Sequence, residues 1–208
     1  DGLLSDLCGL VRTEDKKMSA RLLEQTDQAR RLYEQVTEYL SELFSAGSMS
    51  EEQAKEAAGL MYLLGDFDRI AFLCQEVLAL LAEKNEKKKK NAGFSKEAQR
   101  DLEQSLTLIG EMYEEAFHML VSGDRDKLKK IRKKKEKMLE LSLHMRKAHL
   151  ERVEKGKCSA KLTKPFYKIL NALDRLSNSC ANVADHELLF TPGIYTSSNS
   201  PYEQVIRK

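Results

Sequence analysis

Residues 57–81, which read AAGLMYLLGDFDRIAFLCQEVLALL, predict a long buried helix. Apolar side chains recur along this stretch at alternating steps of three and four residues, the spacing that places them on one helix face. The members of this stripe are Ala57, Leu60, Leu64, Phe67, Ala71, Cys74, Leu78 and Leu81. Three further residues, Leu63, Ile70 and Val77, widen the stripe. We therefore expect this helix to be buried on more than one side.

Four other segments carry a helical spacing of apolar residues. They cover about residues 14–46, 95–121, 124–155 and 159–189. In the first of them, the apolar or neutral positions are Leu22, Ala29, Leu32, Val36, Tyr39 and Leu43. Glycines at 47, 123 and 156 follow three of the segments and are typical helix stops. Because short connections between long helices make neighbours run antiparallel, the sequence predicts an all-α, antiparallel helical bundle without strands.

The composition is typical of long helices with solvated faces. Charged residues make up 33% of the 208 residues, the net charge is +2, and only three prolines are present. No apolar run approaches the roughly 18 residues that a transmembrane helix needs. The first residues also lack the basic start and cleavage site of a signal peptide. Because the sequence begins with Asp1 rather than Met, we expect it to be a piece of a longer chain.

The four cysteines favour a reducing compartment. Cys8, Cys74, Cys158 and Cys180 form no C-x-x-C pair and are not grouped with histidines at the spacing of a zinc site. Cys74 and Cys180 fall within apolar helical patterns, where a thiol behaves as a small apolar side chain. We expect reduced cysteines and an intracellular location.

Basic residues are clustered although the net charge is small. Residues 84–90 read KNEKKKK and residues 127–137 read KLKKIRKKKEK. The second run gives one helix a basic face, which comprises Lys129, Lys130, Lys133 and Lys134. Such a face could contact anionic lipid or phosphate, or it could simply be a solvated helix surface. No aromatic residues lie among these lysines to stack on bases, which argues against a nucleic-acid partner.

An internal repeat is the most specific feature of the sequence. Residues 68–77 (DRIAFLCQEV) and 174–183 (DRLSNSCANV) share the pattern D-R-[IL]-x-x-x-C-x-x-V at an offset of 106 residues. The signature residues are Asp68, Arg69, Asp174 and Arg175. A preserved offset of this kind indicates the duplication of a helical unit.

With this acid–Arg–aliphatic signature on the last helix of each unit, the sequence resembles the PhoU family. The resemblance implies a fold of two tandem three-helix units, about residues 13–90 and 94–190, of which the first is incomplete at its N-terminus. Residues 1–12 would then be a linker or the remnant of a preceding helix, and residues 191–208 a C-terminal tail.

Within that family, the chain resembles the cytoplasmic C-terminal domain of bacterial sodium/phosphate cotransporters. This resemblance implies a location on the cytoplasmic side of the bacterial inner membrane. It also implies that the main partner is the transmembrane portion of the same transporter chain. Anionic lipid and a second copy of the chain, as a homodimer, are further candidate partners.

The resemblance raises the question of a metal site. Family members carry acid-x-x-x-Asp patterns that bind iron or zinc clusters, but this sequence has Phe72 and Asn178 four residues after the two signature aspartates. A multinuclear cluster needs those lost carboxylates to balance its charge. The remaining candidates for a weakly bound cation are Asp68, Asp174, Asn178 and Asn182. A hydrogen-bonded polar seam between helices is the alternative interpretation, so we expect no cofactor.

The sequence lacks the motifs of common catalytic sites. It has no phosphate-binding loop, no G-x-S-x-G and no H-E-x-x-H. A single Glu-x-x-His, Glu115 to His118, is half of what a di-iron carboxylate bundle requires. We therefore expect a non-catalytic regulatory or interaction domain that acts in sodium-dependent phosphate transport. The alternatives are a free-standing PhoU-like regulator of phosphate uptake and a metal-binding helical bundle.

Overall fold

The computed structural model describes residues 2–13, 15–47, 49–87 and 94–186, which form an all-α bundle. The helices are α1 (Gly2–Leu10), α2 (Lys16–Ser45), α3 (Glu51–Lys87), α4 (Lys96–Ser122), α5 (Lys127–Glu154) and α6 (Thr163–His186), with a 3₁₀ turn at Ala160–Leu162. No strand occurs in these ranges. The predicted all-α fold is therefore confirmed.

The ends of the helices follow from local chemistry. Ser50 and Gln53 exchange side-chain and backbone hydrogen bonds before α3, as a capping box requires. Gly47, Gly123 and Gly156 each have a φ between 63° and 69°, the left-handed conformation that commonly ends a helix. Glycine adopts it without steric strain because it has no Cβ.

The six helices pack as two groups of three. Helices α1, α2 and α3 contact one another, and so do α4, α5 and α6. Across the two groups, α3 packs against α6, and α1 packs against α4. The same hydrophobic core runs through both groups, with Leu7, Leu73, Ile109 and Leu176 fully buried within it. This order and pairing are what two tandem three-helix units would produce, and the proposed unit boundaries stay a prediction.

Helix α1 covers the segment that the sequence suggested as a linker or the remnant of a preceding helix. It is nine residues long and contacts α2, α3 and α4, with Leu4, Leu7 and Leu10 buried beneath it. The carboxylate of buried Asp6 accepts hydrogen bonds from both Nε and Nη2 of Arg21 on α2. The segment is therefore an integral, though short, part of the first group of helices.

The described part of the chain contains no candidate transmembrane helix. None of its helices combines the length and the apolar character that crossing a bilayer requires.

Candidate functional site

The structure brings the two copies of the repeat together on paired helices. Asp68–Val77 lies on α3 and Asp174–Val183 on α6. Arg175 forms an ion pair with Glu76 at 3.3 Å, and the Asn182 amide donates to Asp66 at 3.3 Å. Because higher residue numbers on α6 meet lower ones on α3, the two helices run antiparallel. The repeat therefore lies at the junction of the two groups of helices.

The repeat cysteines lie inside this junction. Cys74 and Cys180 are fully buried, and burial raises the pKa of Cys74 to about 12. Burial raises the pKa of Cys180 as well, with a further contribution from the neighbouring Cys74. Both thiols are therefore neutral packing groups rather than nucleophiles, as the sequence pattern predicted.

Asp174 is held by helix α5. Its carboxylate accepts a hydrogen bond from Ser142 Oγ at 3.1 Å and another from Arg146 Nη2 at 2.9 Å. The same guanidinium donates to Asn171 Oδ1 at 2.9 Å and lies over the Tyr167 ring, 5.2 Å from its centre. These contacts give Asp174 a structural partner and neutralise its charge.

Asp68, the matching residue of the first copy, has different surroundings. It is half-buried, and no hydrogen bond or ion pair reaches it from the residues that the structure describes. Arg69 beside it is exposed. The two copies of the signature thus share a place on paired helices but not a set of contacts.

Asp68 lines an apolar groove between α1, α2, α3 and α4. The groove has a volume of about 610 Å³, and its walls include Leu32, Leu64, Phe67, Tyr113 and Phe117. Residues of α1 from Gly2 to Cys8 form another part of its lining. Helix α4 is 27 residues long and α1 is nine, so α1 leaves part of α4, α2 and α3 uncovered.

The helical spacing of apolar residues does not by itself reveal this groove. One indication of it lies in α2, where Leu32 has the spacing of an apolar seam but is 58% exposed. The stripe on α3 gives the same indication, because Leu60, Leu64 and Phe67 in its first half are only half-buried. Finding the groove required the length of α1 relative to α4, which periodicity alone does not provide.

The four candidate metal ligands are not brought to one place. Asp174 and Asn178 border a shallow groove between α5 and α6, whereas Asn182 reaches across to α3 and Asp68 lines the apolar groove. Within the described ranges, no three His, Cys, Asp or Glu side chains are grouped to hold a metal ion. These donors do not fit a multinuclear cluster, since Arg146 already neutralises Asp174. The absence of a cofactor stays a prediction.

The basic face divides into two parts. Lys129, Lys130 and Lys133 are exposed, but Lys134 lies between two carboxylates of α4, 2.9 Å from Glu111 and 3.1 Å from Glu115. Burial acts to lower the pKa of Lys134, but the hydrogen bonds to the two glutamates and their negative charges together outweigh it, and the pKa is raised. Lys134 therefore joins α5 to α4, and three of the four lysines remain open to solvent.

One histidine is a buried packing group in the second group of helices. His149 is fully buried, its ring stacks on Phe166 with 4.6 Å between ring centres, and its Nε2 lies 3.0 Å from Thr163 Oγ1. Cys158 Sγ is 4.0 Å from His149 Nδ1. Burial lowers the pKa of His149 and raises that of Cys158, so both groups are held neutral. This pair lacks the thiolate that a nucleophilic cysteine needs.

The second group of helices matches a known protein family. Residues 102–186 match the model of the PhoU domain. The match covers most of α4 and all of α5 and α6, and it includes the second copy of the signature. The chain has no significant match among curated proteins or among solved structures. PhoU domains are regulatory helical domains, so the match supports the family resemblance and indicates a regulatory role in phosphate transport.

Proposed function

We propose that the chain is the cytoplasmic, non-catalytic regulatory domain of a bacterial sodium-dependent phosphate transporter. The observation that carries the proposal is the PhoU match over α4 to α6. The apolar groove between α1, α2, α3 and α4 gives this domain a surface for a partner. In this proposal the partner is the transmembrane portion of the same chain, and the domain lies against the cytoplasmic face of the membrane.

The shape of the groove favours a helical segment as its occupant. Its walls belong to α1, α2, α3 and α4, so four helices bound it. A helix placed there would continue the packing that α1 begins, and it would cover the exposed Leu32 and Phe117. The occupant would therefore need an apolar face.

The polar atoms of the groove favour a basic group on that helix. Asp68 and Glu114 line it, and neither has an ion-pair partner among the described residues. The Oε1 atom of Gln25, another lining residue, is buried without a donor in the same part of the chain. A lysine or arginine on the incoming helix would satisfy these acceptors.

The mechanism available to such a domain is a shift in helix packing. A segment that enters the groove contacts α1, α3 and α4 together, and α3 and α4 both pack against α6. Occupancy would therefore bias the junction of the two groups of helices, and the movement of the segment would transmit that bias to the transporter.

Sodium-driven phosphate uptake tests this function. The complete gene is expressed in a host without its own sodium-driven uptake, and labelled phosphate is followed with and without a sodium gradient. We expect uptake to depend on sodium and its rate to change when Asp68→Lys reverses the charge in the groove. The matched control is Glu38→Lys, which changes an exposed residue of α2 away from the groove.

Two experimental outcomes would contradict this proposal, and each would favour one of the alternative functions. An upstream reading frame without membrane-spanning segments would favour the free-standing PhoU-like regulator. Stoichiometric iron or zinc in the purified protein would favour the metal-binding bundle. Elemental analysis of the protein purified without chelators measures the second outcome.

A further inference from the structure

We propose that α5 is a self-association surface, on which a second copy of this chain packs its own α5 in the antiparallel direction. The inference goes beyond the proposed function and uses a different face of the molecule. It rests on an apolar stripe and on the order of the charges beside it.

The apolar stripe lies on an exposed flank of α5, where Leu139 also borders the shallow groove between α5 and α6. Leu139 and Leu143 are each 60% exposed, and Leu150 is 48% exposed. Their separations of four and seven residues place them along one line of the helix. Met138 and Met145 lie on a different side of the helix, which is buried. Three large leucines in one line on a solvated helix form a surface that a partner helix would cover.

The charges beside the stripe alternate in sign. Lys133, Glu140, Lys147 and Glu154 follow one another at intervals of seven residues, so they form a single row along one edge of the leucines. All four are exposed, and none has an ion-pair or hydrogen-bond partner within the described ranges. The row is therefore free to contact another molecule.

The order of these charges selects the second copy and its direction. A twofold axis perpendicular to two antiparallel helices brings the same edge of each helix against itself. With that axis beside Leu143, Glu140 meets Lys147 of the other copy, and Lys133 meets Glu154. Leu139 then lies against Leu150 of the other copy. About this one twofold axis, the leucine stripes of the two copies meet each other and the charged residues of the two copies pair with opposite sign.

A contact between one helix of each copy is small, so the association should be weak and concentration-dependent. The apolar stripe supplies the attraction, while the charge row sets direction and register. Because the four charged side chains are exposed, added salt should weaken the association.

Sedimentation equilibrium of the full chain tests the inference. We expect a monomer–dimer equilibrium that Leu143→Glu weakens by at least about tenfold, a change equivalent to roughly 1.4 kcal/mol. Glu140→Lys and Lys147→Glu should each weaken it, because each places like charges together. The double variant should restore it, and an equimolar mixture of the two single variants should form heterodimers. Lys137→Glu, an exposed change away from the stripe, is the control.

Circular dichroism of each variant establishes that it is folded, which is expected because all the altered residues are exposed. A monomeric wild-type chain at every concentration overturns the inference, as does a dimer that Leu143→Glu leaves intact. Failure of the double variant to restore association overturns the antiparallel register. A chain that stays monomeric but sediments with anionic vesicles through these leucines shows that lipid, not a second copy, covers the stripe. Phosphate uptake plays no part in these measurements, so they and the proposed function can fail separately.

Discussion

Arg146 on α5 donates a hydrogen bond to Asp174 on α6 at 2.9 Å, whereas no side chain in the described ranges makes such a contact with Asp68. The two aspartates occupy matching places in the repeat. One copy of the signature therefore stabilises its own group of helices, and the other is left facing the apolar groove. This difference would allow the two copies to have separate roles.

Neutralising the two aspartates should have unequal effects on stability. Asp174→Asn weakens the charge-assisted hydrogen bond from Arg146 and should lower the free energy of unfolding by about 1–2 kcal/mol. Asp68→Asn removes no contact within the described residues and should change it by less than about 0.5 kcal/mol. Urea unfolding followed by circular dichroism measures both. Equal losses would contradict the asymmetry of the repeat.

Removal of the Lys134 ammonium should cost more than removal of an exposed one. Lys134→Met leaves Glu111 and Glu115 without their cation, and we expect a loss of about 1 kcal/mol. Lys133→Met, the neighbouring exposed control, should be nearly neutral. Urea unfolding at neutral pH compares the two variants.

The contribution of Lys134 should also depend on pH. Because its pKa is raised in the folded protein, its stabilisation is complete below the ordinary lysine pKa and is lost as the pH rises through the raised value. The stability difference between wild type and Lys134→Met should therefore narrow in strongly alkaline buffer. A difference that stays constant there would show that the ion pairs are not its source.

Buried His149 should make the protein less stable in mild acid. Burial lowers its pKa, and the nearby Arg152 adds to the effect, so the unfolded chain binds a proton more readily than the folded one. The stabilisation is present above the ordinary histidine pKa and is lost as the pH falls through the lowered value. The free energy of unfolding is measured at pH values on both sides of this window. Between neutral and acidic pH it should fall less in His149→Gln than in the wild type. The exposed His144→Gln is the control and should follow the wild type.

The four cysteines should react with iodoacetamide at two distinct rates. Cys8 and Cys158 are partly exposed, whereas Cys74 and Cys180 are fully buried. We expect slow alkylation of the first pair in the native protein, because burial raises the pKa of both thiols, and alkylation of all four only after unfolding. Peptide mass mapping over a time course identifies the order. Early labelling of Cys180 would indicate that the α3–α6 junction opens readily.

Much of the fold followed from the sequence because helical spacing is a local property. The stripe from Ala71 to Leu81 on α3 is buried as predicted, and the capping box at Ser50 and the stop at Gly47 lie where the chain pattern placed them. Each of these features depends on residues within a few turns of one another, so the order of the amino acids is sufficient to specify it.

Features that depend on contacts between distant segments were beyond such reasoning. Tyr39 has helical spacing typical of a buried seam but is 60% exposed, because burial depends on what packs against α2. The partners of Lys134 lie about 20 residues earlier in the sequence, and nothing in a run of lysines distinguishes the one that faces two glutamates. His149 is buried for the same kind of reason, since its neighbours Thr163 and Phe166 come from the next helix.

The antiparallel pairing of α3 with α6 has a consequence for cooperativity. Each of these helices buries apolar residues both within its own group and against the other helix. Unfolding of one group of helices would therefore expose apolar surface of the other group to water. Calorimetry should therefore record one heat-absorption peak rather than two. If the two halves are expressed separately, each should expose the apolar face that α3 or α6 packs against the other helix. The halves should then become soluble only when they are refolded together.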